Sequence, residues 1–173
     1  MLFNKSLNML SVFFICLFSS QNLSAAPYLQ GLYGYGKHST LNWGIGGGYD
    51  FEIYPWGAEF NIQQSSKIKT GTQKIEQQWS SFSATYRKEN FIFEPLTFKT
   101  SLGLATLNQT TQRGEFSNNN FSWNLTSDIE IGYQFNPSFE IFAEYRFFIG
   151  ETTKNVSAPE TFMFGGRLYW VDL

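Results

Sequence analysis

The 173-residue chain has little cysteine or histidine and no excess of basic residues. Cys16 is its only cysteine and His38 its only histidine. A single cysteine excludes a disulfide within the chain. The formal net charge of −2 at pH 7 argues against the basic surface that nucleic-acid binding requires. We therefore predict a fold without disulfides and without a nucleic-acid partner.

Long apolar runs are also missing, apart from one near the N-terminus. No later stretch approaches the roughly 20 apolar residues that a membrane-spanning helix needs. Residues 10–18 form a short apolar run that follows Lys5, and Ser24, Ala25 and Ala26 follow it. This order is typical of a secretory signal peptide with small residues before its cleavage site. We predict a signal peptide at residues 1–26 and a single domain at residues 27–173.

The most frequent pattern in the chain is strict alternation of apolar and polar side chains. Between residues 123 and 135 nearly every second residue is large and apolar, while Asp128 and Glu130 lie between them. A short Asn-Pro-Ser turn follows at 136–138, and the alternation resumes over 139–150. A period of two indicates extended strands, because successive side chains leave opposite faces. Two such runs joined by a short turn predict a β-hairpin.

These strands are longer than the usual strand of about 5–6 residues, and they carry full charges in mid-strand. A strand that crosses a bilayer needs about 9–11 residues, apolar toward lipid and polar toward the lumen. The same pattern predicts eight strands, at residues 28–36, 41–51, 56–63, 75–87, 91–104, 123–135, 139–150 and 162–170. The fold class predicted is all-β, an eight-stranded antiparallel up-and-down transmembrane β-barrel.

The connections alternate in length. Those after the second, fourth and sixth predicted strands are short, whereas those after the third, fifth and seventh are longer and polar. The longest predicted loop covers residues 106–120. Outer-membrane barrels show this asymmetry, with short periplasmic turns and longer external loops. Aromatic residues near the strand ends predict two belts at the membrane interfaces, with Trp43, Trp79 and Trp123 in the belt on the side of the longer loops.

Every charge in mid-strand falls on the face opposite the large apolar side chains. An eight-stranded barrel is just wide enough for its interior to be filled by side chains, so buried charges there must pair. We predict a structural network of paired charges in the lumen, and no catalytic residue, cofactor or metal. The inward acids leave open paired-carboxylate catalysis or a cation site. The network comprises Glu59, Arg87, Lys99, Asp128, Glu130, Glu140, Glu144, Arg146 and Arg167.

Two short motifs suggest chemistry at first sight. Gly44, Gly46 and Gly48 do not fit G-x-G-x-x-G, because Tyr49 stands where the third glycine belongs. Glycines at alternate inward positions instead make room in a narrow barrel. The pair His38–Ser39 lies at a predicted loop tip without a group that would orient the histidine, as Ser–His catalysis requires. We predict a solvated turn there.

Residues 43–51 (WGIGGGYDF) and 131–137 (IGYQFNP), together with the signal peptide and eight strands, resemble the small outer-membrane β-barrel proteins of OmpA and opacity-protein type. The resemblance implies export to the bacterial outer membrane and insertion by the barrel-assembly machinery. It also implies contact with outer-membrane lipid and lipopolysaccharide, and an extracellular ligand or host surface as partner. The function expected is a non-enzymatic surface protein, and the alternatives are a narrow pore for small solutes and a lipid A-modifying enzyme.

Overall fold

The computed structural model describes residues 25–36, 40–51, 54–66, 68–70, 72–114, 116–149 and 160–170. The described residues contain no helix that is long and apolar enough to cross a membrane. Residues 1–24 lie outside the described part, so the signal peptide stays a prediction. Nine strands are present: β1 Ala25–Gly36, β2 Thr40–Phe51, β3 Trp56–Ser65, β4 Ile68–Thr70, β5 Gln73–Lys88, β6 Leu96–Arg113, β7 Phe116–Asn136, β8 Phe139–Ile149 and β9 Thr161–Tyr169.

The strands form one closed antiparallel sheet. The first and last strands pair with each other, with Leu29 opposite Leu168 and Gly31 opposite Gly166. The strands β3 and β4 both pair with β5 and together occupy one position of the sheet. The barrel therefore has eight strand positions, and the predicted fold class is confirmed.

The outside of the barrel is apolar and its inside is polar. On β7, Ile131 is 53% exposed while the neighbouring Glu130 is 2% exposed. This is the reverse of a water-soluble domain, where charged side chains are almost never fully buried. The arrangement fits a barrel whose surrounding solvent is lipid, because the exposed side chains are those that lipid favours.

The two ends of the barrel differ. We call the turn end the one with the connections 52–55, 89–95 and 137–138, and the loop end the opposite one. The predicted loop at 106–120 is wrong, because β6 continues to Arg113 and β7 begins at Phe116. The apolar alternation stops near Leu104, but the backbone ladder continues through polar Thr, Asn and Gln residues. The apolar pattern indicates which part of a strand faces lipid. The strand itself continues beyond that part.

This extension forms a sheet of its own at the loop end. In the ladder, Gln78 pairs with Asn108 and Asn108 pairs with Phe121. Residues 68–70, 73–78, 108–113 and 116–121 lie at or beyond this level, and we call them the blade. The blade residues of β6, 108–113, are extended and together span about 20 Å along the strand.

The turn end also departs from the prediction. The sequence predicts the fifth strand from residue 91, but β6 begins at Leu96. Residues between them form a turn, in which the Phe91 N–H donates to the Leu96 carbonyl at 3.0 Å and the Leu96 N–H donates to the Phe93 carbonyl at 2.9 Å. Pro95 has no N–H to give to a ladder, which is why the strand starts only after it.

The aromatic belt on the loop side includes Trp43 and Trp123, which are 52% and 61% exposed. The prediction that Trp79 joins them is wrong, because Trp79 is 1% exposed and lies inside the barrel. On β5 it shares the inward face with Ser81. Its ring packs edge-on against Phe148, with 6.4 Å between the ring centroids.

The inside–outside assignment is testable on one strand. We expect Ile131→Arg to prevent stable insertion, because an arginine facing lipid near mid-membrane costs about 2–4 kcal/mol. Asn119→Arg is the matched control, since Asn119 lies on the same face of β7 but within the blade, beyond the aromatic belt. The measurement is the yield of folded protein in lipid vesicles. Equal yields from the two variants would show that this face of β7 does not meet lipid.

Candidate functional site: the charged lumen

The structure places all nine predicted lumen residues inside the barrel. Each of them is at most 9% exposed. They come from six different strands, and each occupies an inward position of its strand because the side-chain alternation brings every second residue to the lumen. They form two clusters, centred on Arg167 and Arg146.

The Arg167 cluster lies nearer the turn end. Its guanidinium makes two hydrogen bonds to Glu130, at 2.7 and 2.8 Å, and one to Glu140 at 3.0 Å. It also donates to the side-chain oxygen of Gln30. Paired donors that match both oxygens of a carboxylate give the strongest form of ion pair. The guanidinium carbon lies 4.4 Å from the ring centroid of Phe142, so this cation is enclosed by aromatic and polar groups together.

The Arg146 cluster occupies the middle of the barrel. Arg146 Nε lies 2.8 Å from Glu144 Oε1, and Nη2 lies 3.5 Å from Asp128 and 3.6 Å from Glu59. Lys99 forms an ion pair with Glu59. The two clusters are linked, because Arg167 Nη2 lies 3.8 Å from the same Glu59. One connected network of charges therefore fills the middle of the lumen.

The three carboxylates of the Arg146 cluster deserve comparison with a metal site. Each of Glu59, Asp128 and Glu144 offers an oxygen within 4.8 Å of the other two. All three contact the Arg146 guanidinium, so an arginine already supplies their counter-charge. Hard cations prefer sets of oxygen ligands without a competing cation. The arrangement therefore supports an ion-pair network better than a metal centre.

Several members of the network were not predicted. The Tyr28 hydroxyl donates to Glu59 at 2.8 Å, and the Tyr169 hydroxyl lies 3.0 Å from carboxylate oxygens of both Asp50 and Glu140. All of them lie on inward positions of the predicted strands. A polar tip on an inward side chain is the signal that identifies the two tyrosines, and Asp50 is a charged residue on the inward face of β2 that the predicted network omits.

The network continues to the turn end through one arginine. Arg87 Nη1 lies 3.0 Å from Asp50, and Nη2 lies 3.4 Å from Glu140. Arg87 also donates to the Tyr169 hydroxyl. With Asp50 included, the charges that line the described lumen are six carboxylates and four cations. Acids exceed bases by more than the sequence suggested.

Among the described residues, none that lines the half of the lumen toward the loop end is charged. This half holds neutral amides such as Gln63, which is 0% exposed, and an apolar cluster of Trp79 and Leu107 with Phe148 packed against it. Inward glycines leave space for such side chains. A Cβ on Gly44 would lie 2.5 Å from the Gln63 side chain. This short distance agrees with the prediction that the inward glycines make room in a narrow barrel. The other sequence motif, His38–Ser39, lies outside the described residues.

Comparison with known proteins shows which structures this barrel is similar to. No family model and no curated protein matches the chain, but solved structures do. Neisserial surface protein A superposes with a TM-score of 0.67 at 14% identity, covering 84% of this chain and 96% of that one. Ail, the attachment invasion locus protein of Yersinia pestis, gives 0.59 at 15% identity, covering 84% and 97%. The chain has the fold of the small eight-stranded outer-membrane β-barrels.

Barrels of this fold do not share one activity. The outer membrane enzyme PagL also matches, with a TM-score of 0.53 at 10% identity, covering 82% of this chain and 98% of that one. Identity at this level shows the fold alone. The fold is therefore compatible with surface proteins and with an enzyme, and the role must be argued from the site.

The ion-pair network should contribute directly to the stability of the barrel. We expect Arg146→Ala to lower the free energy of unfolding by about 3–5 kcal/mol, because it leaves buried carboxylates without their counter-charge. Adding Glu144→Gln should restore part of the loss. The measurement is the urea midpoint of the barrel in vesicles, with Arg113→Ala in the exposed blade as the control. Equal midpoints for Arg146→Ala and the control would contradict a paired lumen.

Proposed function

We propose that this chain is a non-enzymatic protein of the bacterial outer membrane, exported by its signal peptide and inserted by the barrel-assembly machinery. In this proposal the barrel is an anchor. The turn end faces the periplasm, the blade stands at the cell surface, and outer-membrane lipid and lipopolysaccharide surround the apolar outside. The blade serves surface interaction or envelope integrity.

The observation that carries the proposal is the filling of the lumen. Arg146 and Arg167 are at most 1% exposed and they tie together carboxylates from opposite walls of the barrel. Above them, the interior is packed with Gln63, Trp79 and Leu107, each at most 1% exposed. A pore needs a continuous path for water and ions, whereas this interior is filled by side chains. An anchor fits that packing better than a conduit.

Conductance separates the anchor from the narrow pore, which is the main alternative. We expect no steady channel steps from the wild-type barrel in planar bilayers bathed in KCl, because the ion pairs close the lumen. Arg146→Ala should stay non-conducting while it loses stability. Regular unitary steps in the wild type, with an ion selectivity that changes in Arg146→Ala, would favour the pore instead.

The blade supports a role at the surface. Its tip carries Phe116, which is 83% exposed, and Phe121 and Trp123 pack edge-to-face at its base with 5.9 Å between their ring centroids. Exposed aromatic residues on a rigid sheet are typical of binding surfaces. The polar Asn, Gln and Thr residues around them keep the surface of the blade hydrophilic without a large net charge.

Removing the blade tests its role. We expect a variant in which residues 109–120 are replaced by an Asn-Gly turn to insert normally, because the closing ladder lies below that level. Cells that display it should lose adhesion to host cells or matrix, or should become sensitive to detergent. Asn118→Ser, an exposed polar substitution in the blade, is the control that retains the sheet and its aromatic residues, and it should behave like the wild type. Wild-type adhesion and detergent resistance in the turn variant would contradict a surface role for the blade.

An enzymatic role has less support from the described residues. PagL shows that the fold can hold an enzyme, and the His38–Ser39 pair lies outside the described residues. The inward carboxylates are engaged by arginine and lysine, which leaves them poorly suited to proton transfer. Release of acyl chains from lipid A by the purified barrel would overturn the non-enzymatic proposal.

A further inference from the structure

The connection between β5 and β6 carries three consecutive apolar residues at the turn end of the barrel. Phe91, Ile92 and Phe93 are 40%, 72% and 58% exposed. Turns that meet water are normally polar, and a run of exposed apolar residues in a turn is unfavourable there unless it has a function. Contiguous exposed apolar surface is typical of a site that contacts a membrane or a partner.

The backbone holds this connection in one defined turn. The Phe91 N–H donates to the Leu96 carbonyl at 3.0 Å, and the Leu96 N–H donates to the Phe93 carbonyl at 2.9 Å. Asn90 begins the turn with a φ of 52°, a left-handed conformation that asparagine adopts more readily than most residues. The positions of the three apolar residues are therefore fixed by the turn and not by the strands alone.

The two sides of the turn differ in polarity. Glu89, Asn90, Glu94 and Pro95 line the mouth of the lumen at the turn end. The three apolar residues between them do not belong to that lining. The turn is thus amphipathic, with its acidic side toward the lumen and its apolar side directed away from it.

A contact between two rings shows what the apolar side faces. The ring of Phe91 stacks on that of Phe98, with 4.9 Å between the centroids and 26° between the planes. Phe98 lies on the outward face of β6, between the buried Thr97 and Lys99, and it pairs with the lipid-facing Ile131 of β7. The turn therefore folds against the outside of the barrel, and its apolar side continues the surface that contacts lipid.

A lysine lies beside this contact. Lys88 is exposed, and it lies directly opposite Phe98 in the ladder between β5 and β6. A lysine near the end of a membrane-spanning segment keeps its aliphatic stem against apolar surface and extends its ammonium group to the headgroups. Apolar rings and an ammonium group side by side fit a phospholipid, which offers acyl chains to the first and a phosphate to the second.

We propose that the turn at residues 89–95 inserts Ile92 and Phe93 among phospholipid acyl chains, just below the headgroups, while Lys88 contacts a headgroup phosphate. In the proposed orientation these phospholipids form the periplasmic leaflet of the outer membrane. The contact rests on the membrane insertion of the barrel and goes beyond the anchor role, because a connection as well as the strands then determines the depth of the barrel in the membrane. It does not depend on the blade.

The test uses the mature barrel in phospholipid vesicles, with an NBD fluorophore attached at Ile92→Cys or, as the matched control in the same turn, at Glu89→Cys. We expect phospholipids with brominated acyl chains to quench the label at Ile92→Cys. Iodide in the water should quench it at least about threefold less than the label at Glu89→Cys, because an ion is excluded from the apolar region. Heat-modifiable migration on gels verifies that both variants are folded.

A second substitution should lift the turn out of the membrane. With the label at Ile92→Cys, Phe93→Asp should raise the iodide quenching to the value measured at Glu89→Cys, because a carboxylate among acyl chains is costly. Glu94→Gln, the next residue on the lumen side of the turn, should leave the quenching unchanged. Phe93 and Glu94 both lie in the connection, so neither substitution removes a strand residue.

Two results would each overturn the proposal. Equal iodide quenching at Ile92→Cys and Glu89→Cys would show that the apolar side lies in water, where a periplasmic protein could cover it. Protection from iodide without quenching by brominated chains would show that a second copy of the barrel covers it. Neither result bears on conductance or adhesion, so the anchor role is tested separately.

Discussion

The requirement that every backbone N–H and C=O be paired inside lipid governs this structure. A sheet in a bilayer satisfies it only by closing on itself, because an open edge would leave a row of unpaired groups without water. The pairing of β1 with β9 provides that closure. Once the sheet is closed, alternation along each strand divides the side chains into a lipid face and a lumen face, and no position between them remains.

The closed sheet then dictates what happens to charge. Charged side chains cannot face lipid, so they are confined to a lumen that eight strands make just wide enough for side chains. Arginine suits such a space, since its planar donors match carboxylates bidentately, as Arg167 does with Glu130. Glycine on a neighbouring strand makes the space available, as where Gly48 pairs with Tyr28. A Cβ on Gly48 would lie 2.5 Å from the Tyr28 hydroxyl, which itself bonds Glu59. The three features therefore depend on one another: closure confines charged residues to the lumen, glycine gives them space, and ion pairs compensate their charge.

The sequence predicted those features that depend on alternation and missed those that depend on pairing. Ile131 and Glu130 could be assigned to opposite faces because lipid and lumen select different side chains. The blade could not be foreseen, because its polar residues lack the apolar period even though their backbone ladder continues to Arg113. Trp79 was assigned to the belt because tryptophan is common at interfaces, although its alternation with Ser81 and Phe82 places it on the inward face of β5. Asp50 lies on the inward face of β2, so the same alternation could have assigned it to the network, and only its contact with Arg87, 37 residues further along the chain, needs the structure.

Closure at the seam between β1 and β9 is the central claim, and cross-linking tests it most directly. The described part of the chain has no cysteine, so Leu29→Cys and Leu168→Cys would introduce a unique pair at directly opposed positions of the seam. Oxidation of the double variant in lipid vesicles should join the two residues in high yield and prevent the barrel from unfolding fully on heating without reductant. Leu29→Cys with Leu104→Cys, on the distant strand β6, should not cross-link. Absence of the seam cross-link, or an equal yield from the distant pair, would contradict the closed barrel.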